Sequence, residues 1–197
     1  MHPIDRRAIL FGAGAAAGAS LLLGGTAAAQ QAVEHPAVAR LRVVAADLLA
    51  TQRSGTPAAY LKMIDRHADV PAIALYALGP YQPELKKSQR TTFFHGVAMV
   101  IARYFADQAR HYPVASAEIS PAVRLDQDEV LVHSTVTLIS GSRYSVVWRM
   151  GKSRRGYKVR DVTVLGFSLR YLKRAMFQSF ISRQGGRFEA LYVALTR

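Results

Sequence analysis

The spacing of apolar residues changes twice along this chain. Up to Tyr112 it is helical, from Val114 it has a period of two, and from Leu169 it is helical again. Residues 36–53 place Val38, Leu41, Val44, Ala45 and Leu48 on one face, which predicts an amphipathic helix. Ser54-Gly55-Thr56-Pro57 stops that helix and starts another, with Thr56 as cap and Pro57 at its first position. The second helix is expected to end near Ala68. Asp69 then caps a short helix, Pro71 to Leu78, which Gly79-Pro80 closes. A long helix begins between Pro83 and Arg90 and ends near His111. Its apolar residues, among them Phe93, Phe94, Val97, Ile101, Tyr104 and Phe105, cover more than one face. Such a helix is buried on two sides or lines a cavity.

After Pro113 the residues from Val114 to Ser120 predict a strand. Val130, Val132, Ser134, Val136 and Leu138 then alternate with Leu131, His133, Thr135 and Thr137. Gly141-Ser142 turns the chain. Tyr144, Val146, Trp148 and Met150 alternate in their turn, and Lys152 to Gly156 reverses it again. Tyr157, Val159 and Asp161 continue the meander, whose short turns imply antiparallel pairing. Thr163 to Leu165 extend this strand, Gly166 breaks it, and Ser168 suits the cap of a helix. In that helix Leu169, Leu172, Met176, Phe177, Phe180 and Ile181 form an apolar face, opposite a basic face of Arg170, Lys173, Arg174 and Arg183. Gly185-Gly186 separates it from a last helix with Phe188, Leu191, Tyr192 and Leu195 on one side. The order predicts an α+β fold, a curved antiparallel four-stranded meander covered on one face by N- and C-terminal helices. The excess of large apolar side chains over so thin a sheet fits either a packed core or an enclosed cavity.

Composition narrows the setting. The 197 residues suffice for one domain, or one domain with an appendage, and half of them are hydrophobic. There is no cysteine, which excludes disulfides, thiol catalysis and cysteine metal sites. The formal charge of +13 favours anionic partners. Paired Arg6-Arg7, a weakly hydrophobic stretch to Leu23 and small residues at 27 and 29 read as a twin-arginine-like signal peptide, residues 1–29, cleaved after Ala29. An ordinary secretory signal containing two arginines is the alternative. Either route leads to the periplasm or outside the cell. Loss of 1–29 removes two arginines and one aspartate, leaving 13 − 1, or about +12. An exported basic protein meets anionic membrane surfaces rather than nucleic acid.

Candidate chemistry is sparse. Gly166-Phe167-Ser168 starts like a nucleophile elbow, but Arg170 stands where the last glycine must be, so Ser168 is read as a helix cap. His35, His67, His95, His111 and His133 form no i, i+4 pair with metal-ligand spacing. Asp161 and His133 lie on strands and could face a dry pocket, which makes a proton-transfer enzyme the alternative function. Lys152, Arg154, Arg155 and Lys158 form one basic group, and Arg170, Lys173 and Arg174 a second. Each is either a solvated surface or a docking patch for an anionic leaflet.

Several segments, taken in order, resemble one family. They are Ala77-Leu78-Gly79-Pro80-Tyr81, Gln89-Arg90-Thr91-Thr92-Phe93, Tyr104-Phe105, Val146-Val147-Trp148-Arg149 and Val162 to Leu169, followed by Arg174, Phe177, Gly185-Gly186 and Leu191. Together they look like the MlaC family of periplasmic phospholipid-binding proteins, also called toluene-tolerance or ABC-transporter auxiliary components. The similarity runs from about Leu61 to Leu195, within a domain of residues 30–197. Pro80 and the basic tip, Gly151 to Gly156, depart from the pattern, and related hopanoid-associated members share it. The resemblance implies a carrier with no cofactor, holding phospholipid as cargo in a cavity between sheet and helices. Its implied partners are an outer-membrane lipoprotein complex and an inner-membrane ABC transporter complex of the Mla type. A hopanoid or polyisoprenoid carrier is the sibling reading. Given that role, alternation selects Val136, Leu138, Val146, Trp148 and Val162 on the sheet and Val97, Ile101, Tyr104 and Phe105 on the long helix as lipid-binding residues. The opposite strand face is the alternative.

Overall fold

The computed structural model describes residues 34–197; the expected export segment, residues 1–29, lies outside them. Among the described residues four helices come first: α1 (Pro36–Ser54), α2 (Pro57–His67), α3 (Val70–Leu78) and, after two short 3-10 turns, α4 (Arg90–His111). The strands follow as β1 (Val114–Asp126), β2 (Glu129–Leu138), β3 (Arg143–Ser153), β4 (Gly156–Val164) and β5 (Phe167–Ser168). Two helices close the chain, α5 (Leu169–Arg183) and α6 (Phe188–Thr196). The starts of α2, α3 and α5 are held by side-chain caps. Thr56 Oγ1 accepts from the Ala59 amide, Asp69 Oδ1 from Ala72 and Ser168 Oγ from Tyr171. Each satisfies an amide that the first helical turn leaves without a partner.

The sheet is antiparallel with strands in chain order, and it has five strands rather than the expected four. The extra strand arises at Gly166. Leu165 and Gly166 both adopt positive φ, 52° and 83°, so the chain makes a two-residue hairpin there instead of passing straight into a helix. Val164 then pairs with Phe167, and Thr163 with Ser168. The first strand also runs past Ser120 to Asp126, through Pro121. A proline lacks the amide a ladder needs, but β1 lies at the sheet edge and its register shifts between Ile119 and Val123.

One sheet face packs on α1: Val38, Leu41 and Val44 meet Val130, Val132, Val146, Trp148 and Met150. Behind this layer α4 is buried on two sides. Phe93 and Val97 join a cluster with α3, α5 and α6, whereas Ala98, Ala102 and Ala106 pack on Tyr60, Met63 and Ile64 of α2. Gly96 lets α6 approach, since a Cβ at that position would collide with the carbonyl of Leu195. The wide apolar surface of α4 is thus explained by two neighbours.

The roll of α5 differs from the expected one. Lys173, Phe177 and Ile181 form its buried stripe, while Leu172 and Met176 are exposed. Spacing alone favoured the apolar stripe, but aromatic faces on neighbouring helices receive the cations. The Arg170 guanidinium lies 4.2 Å from the Tyr76 ring centre and the Lys173 ammonium 4.9 Å from that of Tyr104. Their long aliphatic stems supply the apolar contact that a leucine would have made. Among the described residues no helix is long and apolar enough to cross a membrane.

Candidate functional site

The apolar face of the sheet is only partly covered by α1. Where α1 ends, β2 to β4 diverge from α4 and leave a cavity of about 460 Å³. Val136, Leu138, Val146, Trp148 and Val162 line it from the sheet, and Leu48, Tyr104 and Phe105 from the helices. Its mouth is formed by Leu165 and Phe167 of the β4–β5 hairpin with Leu169 and Leu172 of α5. Phe167 is 77 % exposed and Leu165 64 %. The turn requires positive φ at position 165 but not a leucine there, which is held with its side chain in water at a backbone cost that glycine or asparagine would avoid. A second, smaller cavity of about 90 Å³ adjoins the first, sharing Tyr104, Phe105, Trp148, Val162 and Leu169. It reaches inward to Ile64, His67, Ile101, Asp161, Arg170 and Lys173.

Polar groups around these walls are mostly spoken for. The Trp148 indole N–H donates to Ser134 Oγ at 2.8 Å, so the ring presents only its apolar surface. Gln52 closes one edge of the large cavity, accepting from the Val114 amide at 2.8 Å and donating to its carbonyl at 3.0 Å. His67, 1 % exposed, meets the Asp47 carboxylate through Nε2 at 2.6 Å. That hydrogen bond holds the Asp47 carboxyl below its ordinary range. Burial holds the His67 imidazole below its own ordinary value, although Asp47 pulls in the opposite direction. A neutral ring donating its Nε2 proton to the carboxylate satisfies both.

Asp161 is a structural clamp. Its Oδ2 accepts from Ser168 Oγ at 2.5 Å, and its Oδ1 accepts from the Arg170 amide at 2.9 Å and the Val162 amide at 2.8 Å. Ser168 in turn caps α5, so one carboxylate ties the β4–β5 hairpin to the helix start. His133, the other half of the enzyme alternative, is exposed and lines a separate surface hollow with Glu118, Ser134 and Ser145. The two residues do not share a pocket. Near the clamp, Glu129 receives Arg149 at 2.9 Å, Arg160 at 3.4 Å and Arg170 at 3.8 Å, while Asp126 also pairs with Arg149 and Asp69 with Arg160, so three carboxylates offset three guanidiniums. Among the described residues no histidine–carboxylate group could hold a metal ion.

Of the residues selected by alternation, Tyr104, Phe105, Val136, Leu138, Val146, Trp148 and Val162 lie around the large cavity. Ile101 lines only the small one. Val97 lines neither; it is buried one turn away in the cluster of α3, α5 and α6, because a helix packed on two sides turns that position from the sheet. Sequence reasoning missed the mouth residues Leu165, Phe167 and Leu172. The available signal was three large apolar residues close to a turn glycine; the spacing places Leu165 on a strand and Leu172 on the apolar face of a helix, and leaves Phe167 in the break between them. The second basic group is likewise not a surface patch, since Lys173 is buried and Arg170 is covered by Tyr76. Lys152, Arg154 and Arg155 at the β3–β4 turn are exposed.

The fold and site define an α+β protein with an apolar cavity between an antiparallel sheet and a helical layer. A family model described as MlaC protein matches residues 43–197, and the chain belongs to the MlaC family. No curated protein sequence matches it. A solved structure of the phospholipid-binding protein from Ralstonia solanacearum, in complex with a phospholipid, is similar in fold. Its TM-score is 0.67 at 24 % identity, over 81 % of this chain and 94 % of that one.

Proposed function

We infer that this protein is a periplasmic carrier that holds phospholipid by its acyl chains and passes it between outer-membrane and inner-membrane complexes of the Mla type. The observation that carries the reading is the 460 Å³ apolar cavity with its exposed apolar mouth, in a chain of the MlaC family. The phospholipid in the Ralstonia protein of like fold supports it. The physical need is large. A phospholipid exposes about 30 methylenes, and at about 0.8 kcal/mol each a bare crossing of water would cost more than about 20 kcal/mol. A dry cavity removes most of that barrier. It sets no direction, because a bilayer shelters the chains equally well; direction comes from partner affinities or from ATP hydrolysed elsewhere.

Cavity size bears on how the cargo sits. A cavity of about 150 Å³ holds a benzene, or about 25 Å³ per carbon. On that scale the 460 Å³ found here takes about 18 carbons, which is one long acyl chain. A second chain lies along Phe167, Leu165 and Leu172 at the mouth, or enters as α4 and α5 move from the sheet. Organic extraction of the purified protein followed by mass spectrometry tests the reading. Phospholipid in near-stoichiometric amount is expected. Hopanoid or another polyisoprenoid would identify the sibling carrier, and a protein that neither co-purifies with lipid nor takes it from vesicles would overturn the proposal.

A further inference from the structure

The small inner cavity is lined in part by a lysine whose ammonium, among the described residues, has no counter-ion. Lys173 is 7 % exposed, yet among the described residues no carboxylate lies within salt-bridge distance of its ammonium, which lies 4.9 Å from the ring centre of Tyr104. Among the described residues the one carboxylate lining this cavity, Asp161, has both oxygens occupied by Ser168 and by the amides of Val162 and Arg170. Arg170, on the same wall, pairs through its Nη1 with Glu129 at 3.8 Å; among the described residues its buried Nε and the Nδ1 of His67 opposite have no partner. Burial of an unpaired charge is costly, and such groups are ordinarily paired or replaced by apolar residues. Burial alone holds the Lys173 ammonium below the ordinary lysine range, with no negative group offsetting it. A methionine would fill the same stripe of α5 between Leu169 and Phe177 without that cost.

We propose that Lys173 forms an anchor for the carboxylate of a single-chain amphiphile, a long-chain free fatty acid, whose tail fills the large cavity. The inference rests on the lipid-carrier reading and names a ligand class within it. The sizes agree. At about 25 Å³ per heavy atom the 90 Å³ inner cavity holds about three or four atoms, the size of a carboxylate and too small for a glycerophosphate head. The adjoining 460 Å³ takes a tail of about 18 carbons. The two cavities share Tyr104, Trp148 and Leu169 as walls, so a chain leaving Lys173 passes directly along the apolar sheet face. The charge-assisted hydrogen bond formed at Lys173 replaces solvation that neither partner has in the cavity.

The test uses delipidated protein and a bound fluorescent fatty acid, cis-parinaric acid, displaced by palmitate, by hexadecanol and by palmitoyl lysophosphatidate. Palmitate is expected to displace the probe at least tenfold more tightly than hexadecanol in the wild type. Lys173→Met should abolish that preference by weakening palmitate to the level of hexadecanol, and Lys173→Arg should retain it. Equal affinities in the wild type, or a preference that survives in Lys173→Met, would overturn the proposal. So would a Lys173-dependent preference shown only for lysophosphatidate, which would assign the anchor to phosphate. Lys173→Met removes a buried charge and is expected to melt no lower than the wild type. Phospholipid extracted from Lys173→Met at wild-type yield leaves the carrier reading standing whatever the fatty-acid result.

Discussion

Replacing Asp161 by alanine should loosen the corner on which the cavity mouth is built. Asp161 is 6 % exposed and makes two hydrogen bonds that cross from β4 to the start of α5, to Ser168 Oγ at 2.5 Å and to the Arg170 amide at 2.9 Å. Its third, to the neighbouring Val162 amide, is local. Hydrogen bonds to a charged group contribute about 1.5–3 kcal/mol each, so the two that reach α5 together contribute about 3–6 kcal/mol. Water entering the vacated space will recover part of this, and a loss of about 4 kcal/mol is expected in urea unfolding. In a domain of this size that corresponds to a fall in Tm of about 8–16 °C. Asp161→Asn keeps one acceptor and should lose less. Because Leu169 and Leu172 ride on the freed helix start, the lipid recovered by extraction should fall as well. A loss below about 1 kcal/mol with wild-type lipid content would refute the clamp and reopen the question of what a buried carboxylate does beside this cavity.

Phe167→Glu and Leu172→Glu, both at exposed mouth positions, should change stability by less than about 0.5 kcal/mol yet markedly lower co-purifying lipid; unchanged lipid content would remove the hairpin from the site. Stability should decline as pH falls through about 6.5, because burial holds the His67 pKa below that value in the folded chain. The unfolded chain then binds the proton first, and the neutral ring's contribution, whole above 6.5, is lost down to the folded pKa. Denaturation midpoints of His67→Gln between pH 7 and pH 5 should be flatter than those of the wild type, and parallel curves would contradict this. Gly96→Ala should destabilise by about 1–3 kcal/mol in urea, since a Cβ has no room against the Leu195 carbonyl, and a neutral effect would mean that α6 shifts freely.

Much of the architecture was legible because it rests on local rules. Thr56, Asp69 and Ser168 are caps wherever they precede a helical pattern, and alternation from Val130 to Met150 defines two strands and their inner faces. Val136, Leu138, Val146, Trp148 and Val162 could therefore be grouped without coordinates. The fifth strand was not legible. A non-glycine residue at positive φ, Leu165, carries no reliable sequence mark, and without it the segment reads as strand, break and helix.

Position along an element is local, but the choice between two neighbouring surfaces is not. Val97 and Ile101 lie one turn apart on the same helix, and which faces the sheet depends on where α5 and α6 pack against it. The inward roll of α5 depends likewise on the rings of Tyr76 and Tyr104, which come from two other helices and are nearly 100 and 70 residues away in the chain. Periodicity and local residue chemistry sufficed for the α+β order, the caps and the sheet faces, and the order of short motifs from Ala77 to Leu191 carried the family resemblance. The gap between sheet and helices, the exposed hairpin at its mouth and the lone ammonium at its inner end come from packing between distant segments, because burial of a long cation or opening of a cavity is settled by the sum of neighbours that no local pattern encodes.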